Sequence, residues 1–162
     1  MPETNAVFRI DIDESRNPLM AYGEKCLPGT LQIHDFTENF SVPVEIWGAA
    51  DYRRQWREGI ERCLAGTFPS CLVTGMRDPK QGVFINILAL YVDPDNAGNI
   101  AVQRKLLSCK QIRRRFASRS IYDFCGSREI MTHDGEPIPE WIVSRNELAE
   151  FLKALKPSEP GA

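Results

Sequence analysis

The chain reads as an α+β domain in which an antiparallel, meander-like sheet is packed by two main helices. Three observations predict this. Residues 71–107 hold three apolar, β-rich runs separated by turn residues. Residues 49–66 carry large apolar side chains at helical spacing, and so do residues 144–155, behind a helix start signal.

Taken in order, Val7, Ile10 and Ile12 mark a short first strand. Leu31, Ile33 and Phe36 follow Pro28-Gly29, which reads as a turn. Residues 40–47 mix Phe, Val, Ile and Trp, and Pro43 confines them to an edge strand or a bend, because proline donates no ladder hydrogen bond. In the helix at 49–66, Asp51 is the expected N-cap and Gly66 the stop. Tyr52, Trp56, Ile60, Cys63 and Leu64 share one face, while Arg54–Glu58, Arg57–Glu61 and Glu58–Arg62 are spaced as i,i+4 charge pairs.

Residues 71–76 and 83–92 read as strands, the second almost continuously apolar, as in a strand covered on both faces. A polar reversal at 93–99 leads to a returning strand at 100–107. Residues 108–128 give no single pattern; within them residues 111–116 fit a helical turn, a loop or an irregular strand, and Asp134-Gly135-Glu136-Pro137 is turn chemistry. Ser144-Arg145-Asn146-Glu147 fits a capping box, with Val143 and Leu148 as its hydrophobic staple.

Composition bounds the function. The 162 residues are 43% hydrophobic and 26% charged, which suits one folded domain, expected over residues 1–156. Residues 157–162 begin at a proline and read as a flexible tail. No apolar run approaches the about 20 residues of a membrane span, and Met-Pro-Glu-Thr-Asn lacks the basic-then-apolar pattern of a signal peptide, so a cytoplasmic chain is expected. The cysteines at 26, 63, 71, 109 and 125 are odd in number and form no CxxC, which argues against disulfides and zinc. His34 and His133 lie far from one another, and no phosphate loop, dinucleotide fingerprint, HExxH, GxSxG or EF-hand pattern is present. A protein without cofactor, metal or catalytic residues is expected. A cysteine enzyme using a distant histidine stays open, with nothing local in its favour.

The net charge of −2 conceals segregation: residues 1–51 sum to −6, 52–100 to +1, 101–119 to +7 and 120–162 to −4. The basic segment, with Arg113, Arg114, Arg115 and Arg119 beside Phe116, Tyr122 and Phe124, has three readings: structural ion pairing, a protein partner, or phosphate contacts with base stacking. The last would make the chain a nucleic-acid-binding regulator. The net acidity and the lack of a nucleic-acid fold motif weigh against it.

A more specific signature runs through the chain. The helix carries Gln55-Trp56-Arg57-Glu58-Gly59, followed by Gly66, Ser70-Cys71-Leu72-Val73-Thr74 and Asp78-Pro79. Downstream come Tyr91, Gln103 with Leu106-Leu107, Tyr122, Asp134-Gly135, Glu140-Trp141, Val143-Ser144 and Phe151-Leu152. This order and spacing, over residues 20–155, resembles the immunity proteins of bacterial contact-dependent growth inhibition systems. The chain departs from the family pattern at Arg104, where that pattern has Asn, and at Pro139, where it has Ser.

The resemblance implies a cytosolic antidote that binds the toxic C-terminal domain of a large surface-delivered protein, in a 1:1 complex. Toxins of these systems are often nucleases, and a nuclease must present a basic, phosphate-binding surface. Carboxylates on turns are the simplest complement, so Asp93, Asp95, Asp123, Asp134 and Glu136 are the candidate toxin-binding residues. The signature residues Gln55, Trp56, Gly59, Trp141 and Phe151 are expected to be scaffold.

Overall fold

The structure, a computed structural model, describes residues 7–114 and 120–155, with Arg113 and Arg114 described by their backbone alone. The expected tail at 157–162 lies outside the described residues.

Two antiparallel sheets are present, where the sequence suggested one. In the first, β3 (Glu24–Ile33) is central. It pairs with β4 (Phe36–Pro43) on one side, and with β1 (Phe8–Ile12) and β2 (Leu19–Ala21) on the other. Pro28-Gly29 is therefore not a turn: the strand runs straight through it. Pro28 pairs with Ser41 on β4, and its carbonyl accepts from Asp13 N just beyond the end of β1. Its missing N–H faces the gap between β1 and β2, where no ladder bond is needed. At Gly29 the absent side chain leaves room for the Phe40 ring and Val42, which a Cβ would meet at 2.8 and 2.7 Å.

The second sheet is the expected meander, β5 (Ser70–Gly75), β6 (Phe84–Val92) and β7 (Asn99–Ser108), extended by β8 (Glu140–Ser144) in the order β5-β6-β7-β8. Strand β8 is too short and polar at its ends to stand out in the sequence. Between β7 and β8 the chain forms a short helix α2 (Cys109–Arg114) and a 3-10 turn at Ile121–Phe124.

Helix α1 spans Ala49–Leu64. Gly48 is its N-cap, and Asp51 sits three residues later, nearly one full turn on, accepting from Gly48 N at 2.9 Å. Gly66 ends it at φ +81, a left-handed conformation that favours glycine. The arginines do not form the expected ladder: Arg57 donates to Leu155 O, Arg62 to Pro69 O with its guanidinium over the Tyr122 ring, and Arg54 turns back along the helix to Asp51. Helix α3 (Arg145–Ala154) starts at the expected N-cap, with Ser144 Oγ accepting from Glu147 N at 3.1 Å, but the Glu147 carboxylate meets His34 instead of completing the expected capping box.

Trp56 is fully buried, between Tyr52 and Phe151, whose ring centroids lie 6.3 and 6.4 Å away. Phe151 in turn meets Phe8 of β1 edge-on at 5.4 Å, so α1, α3 and both sheets close on one core. A cleft of about 630 Å³ is lined by residues of both sheets, among them Leu31 and Phe40 of the first and Leu88 and Arg104 of the second. Arg77 clamps it with two hydrogen bonds to Glu24, and Arg104 does so through Glu38 at 2.6 Å, its guanidinium 5.4 Å from the Phe36 and Trp141 rings. The departure from the family pattern at Arg104 thus supplies an inter-sheet ion pair. Among the described residues no helix is long and apolar enough to cross a membrane.

Candidate functional site

The segment that returns from α2 to β8 is held down by polar side chains of β7. Gln103, with no exposed surface, donates through Nε2 to Glu129 O at 2.8 Å and to Glu140 Oε2 at 2.7 Å. Lys105 Nζ donates to the carbonyls of Cys125 and Ser127 at 3.0 and 2.9 Å, and burial pulls its pKa down. Arg128 grips Glu140 with two bonds, of 2.8 and 2.7 Å. Gln103 Oε1 has no partner among the described residues. Such a buried unpaired acceptor costs about 1–3 kcal/mol. A network of this kind is a poor route to stability but a good way to fix geometry.

Beyond residue 129 the chain forms a small hairpin. Ile138 N donates to Ile130 O at 3.0 Å, Met131 bridges Pro137, and Thr132 N donates to Glu136 O at 2.9 Å. Gly135, at φ +81, makes the turn. Asp134 and Glu136 are exposed on it, as the sequence suggested, together with Ile130 (60% exposed) and Met131 (56%), which it did not single out. An apolar pair directly before a turn was the available signal for them. For Gln103 the signal was an amide inside an apolar strand.

The other candidates divide. Asp95 is exposed on the β6–β7 turn. Asp93 is only 8% exposed: its Oδ1 accepts from Asp95 N at 3.0 Å, its N donates to Asn99 O, and its own carbonyl accepts from Asn96 N. It builds the turn and is not open to a partner. Asp123 is exposed, but its Oδ2 accepts from Ser120 N at 3.0 Å, capping the 3-10 turn. The β6–β7 turn and the hairpin base are neighbours electrostatically. The pKa of Arg128 is raised first by its hydrogen bond to Glu140, then by the charges of Glu140, Asp93 and Asp95. Among the described residues, Asp95, Asp134 and Glu136 of the five candidates have no side-chain partner, and Asp123 is partly engaged.

All five cysteines are buried. Burial pushes Cys63 up to about 12, while its hydrogen bond with Cys71 lowers Cys125. His34 is committed to Glu147 at 2.8 Å, tying the β3–β4 turn to α3. Of the basic segment, residues 115–119 and the side chains of Arg113 and Arg114 lie outside the described residues.

The described residues form a scaffold that projects acidic turns and is braced by two inter-sheet ion pairs. Residues 42–151, about two thirds of the chain, match the CdiI N-terminal domain, and the chain belongs to that family, the immunity proteins of contact-dependent growth inhibition. It is 26% identical over 138 residues to the immunity protein CdiI of Enterobacter cloacae subsp. cloacae, covering 85% of this chain and 92% of that protein. Its structure matches a chain of the CdiA-CT/CdiI toxin and immunity complex from Enterobacter cloacae with a TM-score of 0.78 and 25% identity, over 92% of this chain and 98% of that one. Proteins of this family inhibit toxins and are not enzymes.

Proposed function

We propose that the protein is a cytoplasmic antidote that binds the toxic C-terminal domain of its own contact-delivered effector in a 1:1 complex, and that this domain is a nuclease. The observation that carries the reading is the near full-length likeness to a chain of a solved toxin and immunity complex. The exposed carboxylates of Asp95, Asp134 and Glu136, with Asp123, support the nuclease part. A domain that cleaves nucleic acid must attract phosphates, and carboxylates projected from turns attract the same surface.

The experiment is co-expression. The C-terminal domain of an exoprotein, if one is found encoded beside this gene, is induced in cells with and without this chain, and growth, DNA, ribosomal RNA and transfer RNA are followed. Cells should die with cleaved nucleic acid when the chain is absent and grow with intact nucleic acid when it is present. Death with all nucleic acids intact would remove the nuclease part. Death regardless of the chain would remove the antidote.

A further inference from the structure

We infer that the hairpin at 130–138 is the arm that enters the toxin's phosphate-binding cleft, with Ile130 and Met131 as its apolar anchors and Gln103, Arg128 and Glu140 as the residues that hold it in place. The inference rests on the functional reading above and names the surface that performs it.

The hairpin is rigid where it leaves the fold and bare where it projects. Its base is fastened by Gln103 to Glu129 O and Glu140, by Arg128 to Glu140, and by Lys105 to Ser127 O. Gln103 and Glu140 are among the residues that carry the family signature, and this fastening is what they do here. Past the base the main-chain bonds close on the hairpin itself. Ile130 and Met131 are consecutive where the chain bends into the hairpin, and both are more than half exposed. A narrow projecting arm buries two such side chains most fully by inserting into a cleft, where anchors are desolvated from more than one side.

Charge identifies the cleft. Glu129, Asp134 and Glu136 are all exposed on or beside the arm, and no lysine or arginine occurs from residue 129 to 144. An acidic arm fits a basic cleft, which is the surface a nuclease uses to hold phosphates. Pro137 and Pro139 stiffen the return limb. Stiffening lowers the ordering cost of docking, which is the usual gain from preorganisation.

The test uses the full chain and, as probe, the C-terminal domain of the same exoprotein. The double variant I130D/M131D should keep the wild-type melting temperature, because both side chains are exposed, and bind at least about 30-fold more weakly. E140Q keeps the hairpin sequence but weakens its anchor. It should bind about tenfold more weakly and speed deuterium exchange at the amides of Thr132 and Ile138, which a purely bulk stability role would not single out. Binding of I130D/M131D within threefold of wild type would overturn the arm while leaving the antidote reading intact. A wild-type dimer in sedimentation that I130D/M131D dissolves, with toxin binding unchanged, would assign the arm to a second copy of this chain and overturn it too. Failure of the wild-type chain to bind the probe would overturn the antidote reading itself.

Discussion

The carboxamide of Gln55 on α1 takes the place of a neighbouring strand for Val73 on the outer edge of β5. Val73 N donates to Gln55 Oε1 at 2.6 Å, and Gln55 Nε2 donates to Cys71 O at 2.8 Å. Trp56 Nε1 continues the pattern onto Val73 O at 2.7 Å, and Tyr52 OH accepts from Met76 N at 2.9 Å. An open strand edge invites pairing with other chains. Here a helix closes it with side chains. The Gln-Trp and Gly of the family signature are thereby scaffold, and Trp56 is fixed by its indole N–H as well as by its buried ring.

Trp56→Ala should lower stability by about 3–5 kcal/mol, the usual cost of emptying a large aromatic site. Chemical denaturation measures it. The remaining folded fraction should bind toxin as the wild type does, since Trp56 has no exposed surface. A variant with wild-type stability and lost binding would move Trp56 from the core to the interface.

Gly59 sets how closely α1 approaches β5. A methyl there would be driven into the Cys71 carbonyl oxygen and would crowd Leu72 Cδ2 at 3.0 Å, while Ser70 Oγ holds Gly59 O at 2.7 Å from the same side. Gly59→Ala should therefore cost about 1–3 kcal/mol despite alanine's better helix propensity, because the obstacle is backbone. Thermal unfolding that shows an unchanged or raised midpoint would contradict this packing.

Alkaline pH should unfold the protein. Burial is the main cause that raises Cys63 to about 12 from an ordinary 9.0, and it likewise raises Tyr52, Tyr91 and Tyr122 above their ordinary 10.0. These groups stay protonated in the fold and ionise once unfolded. Above pH 9 the folded state then binds more protons than the unfolded one, and stability falls with pH. Each such group contributes up to about 1.4 kcal/mol per pH unit. Melting temperatures measured from pH 7 to 11 should be flat at first and fall beyond pH 9. The same burial should keep the native thiols silent to a disulfide reagent at pH 8 and release them in denaturant.

The meander of β5 to β7 and helices α1 and α3 were legible because each satisfies local and tertiary demands at once: continuous apolar runs, a three-to-four-residue stripe, a capping serine. Pro28-Gly29 misled because turn chemistry was put to another use, a missing donor at a strand gap and room for Phe40. Asp93 misled in the opposite direction. Its carboxylate looked available on a reversal, but it folds back onto Asp95 N to build that reversal. Gln103, Arg128 and Glu140 meet only through tertiary pairing of β7 with β8, which no spacing in the chain reveals.

That difference between a carboxylate that makes a turn and one that rides on it gives the last prediction. D134K/E136K reverses two exposed charges whose side chains bind nothing within the described fold. It should leave the melting temperature nearly unchanged, slow association with the toxin domain and flatten the dependence of the association rate on salt, because steering charges act before contact. D95K should act in the same direction. D93K should behave otherwise: it removes the acceptor for Asp95 N from a site only 8% exposed and places a cation near Arg128, so its loss should be read in thermal stability. Stopped-flow association at about 50 and 300 mM salt, paired with calorimetric melting, separates the two kinds of effect. Equal association rates for wild type, D95K and D134K/E136K at the lower salt would show that these carboxylates do not face the toxin.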